Sequence, residues 1–142
     1  MGAHALFCTA PDDLLQFGRG DNFDPAKVAK WMDFDKAAVS IISSVAQSSV
    51  RWDEGAPKAV VERLEEVATL ANMVATIFDG DAEKTCIWFK TKNPMLGGIS
   101  PRDMVRMGRQ DRLRKFIVNA ISDRSEGQRI ESKRDQESNA VA

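Results

Sequence analysis

The residue types that could support covalent chemistry are few in this 142-residue chain. His4 is the only histidine, and neither Cys8 nor Cys86 is expected to have a histidine at a useful distance for activating a thiol nucleophile. The two cysteines also lack the close spacing of a metal site. Gly97-Gly98 is too short to cradle a phosphate, and no Gly-Lys-Ser/Thr follows it. We therefore expect a protein that is not an enzyme and holds no cofactor or metal.

Charge is the remaining chemical feature, and it is divided unevenly along the chain. Residues 51–83 contain three bases against eight acids, a local net charge of −5, whereas residues 84–115 contain nine bases against two acids, a local net charge of +7. This asymmetry favours an acidic partner for the later segment. The alternative is an ordinary solvated helix face, partly neutralised by the acidic segment folded against it.

Length and composition indicate one compact domain or two very small ones, with 43% hydrophobic and 29% charged residues. No apolar run approaches the roughly 20 residues of a membrane span, and the N-terminus lacks a signal-peptide pattern. We expect a soluble, cytoplasmic protein with no membrane contact and with reduced thiols.

Helical patterns predominate, so the predicted fold class is all-α. Residues 1–23 are predicted to form an irregular lead-in. Asp24-Pro25 and Asp35 are typical helix starts, and a third short helix is predicted over Val45–Trp52. Residues 24–56 would then form a small helix-turn-helix-like bundle, or alternatively a degenerate three-helix bundle that only supports the next element.

The strongest helical pattern occupies residues 57–80. From Pro57 to Phe78 the chain contains no glycine and no internal proline, and an apolar seam recurs every three or four residues. The seam residues are Val60, Leu64, Val67, Ala71, Val74 and Phe78. This pattern predicts a long central helix, which either forms a homodimer interface or serves only as the central core helix.

Further helix starts and stops divide residues 81–121. Asp81 and Ser100-Pro101 are predicted caps, Gly80 and Gly108 are predicted breaks, and a last helix is expected from Arg109 to Ile121. Residues 122–142 are polar and are predicted to be a flexible tail or a frayed helix extension.

The stretch 81–117 resembles the toxin-binding domain of the Xre/MbcA/ParS antitoxin family. The resemblance is carried by Trp88, Asn93, Leu96-Gly97-Gly98 and Ser100-Pro101, followed by an amphipathic helix. About 40 residues match closely, and residues 24–80 fit the family's helix-turn-helix and long helix more loosely. Two features depart from the family pattern. Lys92 stands where the family often has proline, and the chain continues past Ser122.

The resemblance implies an antitoxin that binds and blocks a RES-type toxin, which consumes NAD or transfers ADP-ribose from it. Most motif residues suit structural roles: Trp88 and Leu96 as core, Gly97 and Gly98 in a tight loop, and Ser100-Pro101 as a helix start. The predicted toxin contacts are Lys90, Lys92, Asn93, Arg102, Arg106, Arg109 and Arg112.

Many members of the family also repress their own operon, which implies operator DNA as a second partner. The predicted DNA contacts are Ser43, Ser44, Gln47, Ser48, Ser49 and Arg51. Residues 1–50 have four bases against six acids, which does not favour phosphate binding. Two alternatives stay open. The chain could be a free-standing transcriptional regulator without a toxin, or its basic block could bind nucleic acid by itself.

Overall fold

The computed structural model describes residues 11–124, and helices occupy most of this range. The helices are α1 (Pro25–Met32), α2 (Lys36–Ser43), α3 (Lys58–Ile77), α4 (Ala82–Lys90), α5 (Pro101–Arg106) and α6 (110–124, where the described part ends). Short 3-10 turns lie at Gly20–Asn22, Gln47–Ser49 and Pro94–Leu96. The described residues contain no β-strand and one isolated bridge, between Asn93 and Ile99. The predicted all-α fold is confirmed.

Side-chain caps start four of the helices where the sequence predicts them. Asp24, Asp35, Asp81 and Ser100 each accept a hydrogen bond from the backbone N–H three residues later. Such a cap satisfies one of the N–H groups that the first helical turn leaves unpaired, and it stabilises the helix by about 1 kcal/mol. These caps fix where α1, α2, α4 and α5 begin.

Helix α3 is the central core helix of the fold. The seam residues are all buried except for Phe78, which is half-buried. Helices α1, α2 and α4 pack against α3 and cover this seam. A homodimer through the seam, one of the two predicted roles, would require this packing to open.

The prediction of a helix over Val45–Trp52 is wrong. Only Gln47–Ser49 turn helically, in a single 3-10 turn. Ser44 ends α2 with a left-handed backbone (φ 58°), and the Ser40 hydroxyl donates to the carbonyl of Val45, 2.6 Å away. This side-chain bond offers the backbone an alternative to a continued helix. Val50 is then buried in the core.

The segment 11–23 is irregular, as predicted, but it is part of the core and not merely a lead-in. Leu15 and Phe17 are buried. The side chain of Asn72, on α3, joins this segment by two hydrogen bonds: its Oδ1 accepts from the Leu15 N–H (2.9 Å) and its Nδ2 donates to Asp13 Oδ1 (3.1 Å). The carboxylate of Asp13 also accepts from the N–H groups of Phe17 and Gly18.

Acid is expected to weaken the attachment of this segment through Asp13. Burial raises the pKa of Asp13, but the hydrogen bonds from Gly18, Phe17 and Asn72 outweigh it and hold the pKa below its ordinary value. The stabilisation is therefore present above the unfolded-state pKa of about 3.9 and is lost as the pH falls through the lower folded-state value. Asp13→Asn should cost about 1 kcal/mol of unfolding free energy at pH 7, and this difference should shrink below about pH 4.

Urea denaturation at a series of pH values measures this difference. Asp12→Asn is the matched control because Asp12 is the exposed neighbouring acid. If the unfolding free energies of the wild type and Asp13→Asn differ by the same amount from pH 7 to pH 3, the ionised Asp13 carboxylate is not the source of the stabilisation.

Candidate partner-binding surface

The motif residues of the stretch 81–117 build one helical unit and mostly face inward. Leu96 and Pro101 are buried, and Ser100 starts α5. Trp88, predicted to be core, is half-buried and stacks on Phe116 of α6 with ring centroids 6.5 Å apart. The motif thus holds α4, α5 and α6 in their relative positions.

The loop between α4 and α5 is closed by its own hydrogen bonds. Asn93 Oδ1 accepts from the N–H of Met95 (2.9 Å), and the Asn93 N–H donates to the carbonyl of Ile99 (3.0 Å). Gly97 and Gly98 have φ values of +80° and +83°, which side-chain-bearing residues rarely adopt. Their conformation lets the Gly98 N–H return to the Asn93 carbonyl. The loop therefore has a defined shape.

Four of the predicted toxin contacts are exposed cations. Lys90, Lys92, Arg109 and Arg112 are exposed and form no ion pair with any residue in 11–124. We call these four residues the basic surface. They lie at the end of α4, just after it, just before α6 and in the first turn of α6. A partner with exposed carboxylates would meet them without displacing an internal ion pair.

The other three predicted toxin contacts have partners inside the chain. The Asn93 side chain closes the loop. Arg102 Nη2 donates to the carbonyl of Asp33 (2.6 Å), and Arg102 Nε donates to the carbonyl of Met32, both at the C-terminal end of α1. Arg106 Nη1 lies 3.7 Å from Asp103 Oδ1, and the Arg106 side chain remains partly exposed. These contacts give Asn93 and Arg102 structural roles in the chain, and their predicted contact with a toxin stays a prediction.

Two exposed apolar side chains close in sequence to Lys90 and Lys92 were not singled out from the sequence. Ile87 lies on α4 and Met95 lies in the following loop, and both are largely exposed. In the sequence each belongs to a short apolar run, Cys86 to Phe89 and Met95-Leu96. The runs do not show which member faces outward.

The predicted DNA contacts lie on no recognition helix. Ser43 is only 6% exposed and its hydroxyl donates to the Val39 carbonyl, so it cannot reach a phosphate, contrary to the prediction. Arg51 pairs with Asp53 at 2.8 Å, which raises the pKa of Arg51. The remaining four, Ser44, Gln47, Ser48 and Ser49, are exposed around one 3-10 turn. A helix in the major groove is the usual device for base recognition, and this segment does not supply one.

Of the three residues weighed for catalysis, only Cys86 lies within the described part of the chain. His4 and Cys8 lie outside the described residues, and Cys86 is a half-buried free thiol. Among residues 11–124 no group of three or more His, Cys, Asp or Glu is placed to hold a metal ion. Of the helices in this range, none is both long and apolar enough to cross a membrane.

No protein-family model, curated protein or solved structure matches this chain. The resemblance to the Xre/MbcA/ParS antitoxins therefore depends on the motif in residues 81–117. The C-terminal tail predicted over 122–142 begins as a continuation of α6 through residue 124, and the rest of it lies outside the described residues.

Proposed function

We propose that this chain is the antitoxin of a type II toxin–antitoxin pair and that it neutralises a RES-type toxin by binding it through the basic surface. The observation that carries the proposal is the division of roles in residues 81–117. The motif side chains pack or cap inside the unit, while Lys90, Lys92, Arg109 and Arg112 are exposed. A unit of this kind binds a partner and needs no reactive group of its own.

The chemistry of this surface suits a protein partner with an acidic rim. Cations in the rim of an interface accelerate association and orient an acidic partner. Ile87 and Met95 add exposed apolar area in the same part of the chain, and apolar anchors within a polar rim are typical of specific protein interfaces.

Co-expression with the product of the adjoining gene tests the proposal. The full-length chain should co-purify with a RES-type protein and relieve its toxicity in cells. Failure in both assays would refute the antitoxin proposal. Salt-sensitive binding of the chain to DNA of any sequence, without toxin binding, would instead favour nucleic acid as the ligand of the basic surface.

Charge reversal on the basic surface should weaken the toxin complex. We expect the double variant Lys90→Glu/Lys92→Glu to raise the dissociation constant about tenfold, mainly by slowing association, because rim charges act chiefly on the encounter rate. The matched control is Lys30→Glu/Lys36→Glu, which reverses two exposed lysines on α1 and α2. Surface plasmon resonance at two salt concentrations measures the association and dissociation rates. Equal losses of toxin affinity in the two double variants would contradict the assignment of toxin binding to the basic surface.

A further inference from the structure

The loop between α4 and α5 carries the most exposed large apolar side chain in the described part of the chain. Met95 is 80% exposed, whereas the next residue, Leu96, is 8% exposed and belongs to the core. Gly97-Gly98, which follow, are exposed as well. We call residues 93–99 the Met95 loop. Leu96 attaches this loop to the core, and the loop presents Met95 to solvent.

Hydrogen bonds within the Met95 loop fix the backbone that carries Met95. The Asn93 carbonyl accepts from the N–H groups of both Leu96 and Gly98, each at 3.0 Å, and Asn93 Oδ1 accepts from the Met95 N–H. Pro94 restricts the backbone further, because its ring fixes φ in the residue before Met95. The loop therefore loses little backbone freedom when it contacts a partner, and more of the free energy of its contacts appears as affinity.

The charges next to the loop in sequence are all positive on the side of α4. Lys90 and Lys92 are exposed, and the chain contains no acid between Glu83 and Asp103. An exposed apolar side chain beside unpaired cations complements an apolar pocket that carboxylates border. The α4 side of the Met95 loop thus favours a partner with that combination of surfaces.

We propose that Met95 is the apolar anchor of the toxin contact and enters an apolar pocket bordered by carboxylates on the toxin. This inference rests on the proposed function. A methionine side chain is unbranched and polarisable, so it fills pockets of irregular shape. A buried anchor of this kind acts mainly on the dissociation rate, whereas charges in the rim act on the association rate. The Met95 loop and the basic surface therefore control different steps of toxin binding.

Surface plasmon resonance of the full-length chain with the co-purified RES-type protein tests the anchor. Met95→Gln keeps the length of the side chain and replaces its thioether end by a polar amide. It should raise the dissociation rate about tenfold and leave the association rate within about twofold of the wild type. Met95→Leu stays apolar and should raise the dissociation rate less than about threefold.

Met107→Gln is the matched control, because it makes the same substitution at a methionine that is 52% exposed outside the Met95 loop. It should leave both rates unchanged. Circular dichroism establishes that each variant folds, which the exposure of Met95 and Met107 favours.

Three results would overturn the anchor while the wild type still binds the toxin. They are an unchanged dissociation rate in Met95→Gln, equal increases in Met95→Gln and Met107→Gln, or a loss in Met95→Leu as large as that in Met95→Gln. Each of these leaves the proposed antitoxin function standing. A wild type that forms no complex with the RES-type protein would instead refute the proposed function, and the anchor with it.

Discussion

Phe89→Ala is expected to lower the free energy of unfolding by about 4 kcal/mol, the largest loss of any single change considered. Phe89 is fully buried at the centre of a chain of aromatic contacts. Its ring meets Trp31 of α1 at 5.6 Å and Trp88 of α4 at 5.1 Å, both edge-on. Trp31 in turn contacts the ring of Phe17, and Trp88 stacks on the ring of Phe116. Removing the central ring opens a cavity and breaks two aromatic pairs, each contributing about 1 kcal/mol beyond its buried area.

Urea denaturation followed by tryptophan fluorescence measures the loss. Phe89→Leu should cost less than half as much because most of the volume is retained. Ile87→Ala is the control from the same helix, and its side chain is too exposed to lose much packing. A loss for Phe89→Ala no larger than that for Ile87→Ala would show that the aromatic chain does not join α1 to α4.

The helix starts could be predicted because local chemistry determines them. Asp24, Asp35, Asp81 and Ser100 cap their helices through bonds to residues only three positions away. The long helix was equally predictable, since an apolar seam recurs along its 20 residues without a glycine or proline. In these elements helix propensity, capping residues and the spacing of apolar residues all predict the same helix.

Contacts distant in sequence could not be predicted. Leu15 is buried and its N–H donates to Asn72, 57 residues later, and no local pattern in residues 11–23 predicts this contact. The failed helix over Val45–Trp52 has a similar cause. Its apolar residues suit a helix, but the Ser40 bond to Val45 and the burial of Val50 favour a turn.

The sequence predicted the positive charge of the candidate surface, but it did not predict which basic residues form that surface. A count of bases located the cationic segment, and Lys90 and Lys92 are exposed as expected. The same count could not separate Arg102, whose guanidinium bonds to α1, from Arg109, which is exposed. Composition does not show which arginine lies beside the end of α1, because the position of each arginine depends on how α5 packs.

Arg102→Ala is expected to cost about 2–3 kcal/mol of unfolding free energy. The Arg102 side chain is only 19% exposed, and it donates to the carbonyls of Met32 and Asp33 where α1 ends. These carbonyls lie at the negative end of the α1 dipole, where a cation is favoured. Alanine would leave both carbonyls without their charged donor and would remove the bonds that join α5 to the end of α1. Urea denaturation measures the loss, and hydrogen exchange near the end of α1 locates it.

Two further variants separate this role from a general effect of charge. Arg102→Lys should recover less than half of the loss, because an ammonium group cannot present two donors in the fixed geometry of a guanidinium. Arg106→Ala removes an arginine of the same helix whose ion pair is partly exposed, so it should cost less than about 0.5 kcal/mol. Equal losses for Arg102→Ala and Arg106→Ala would mean that Arg102 contributes only surface charge. It would then return to the set of cations available for the toxin.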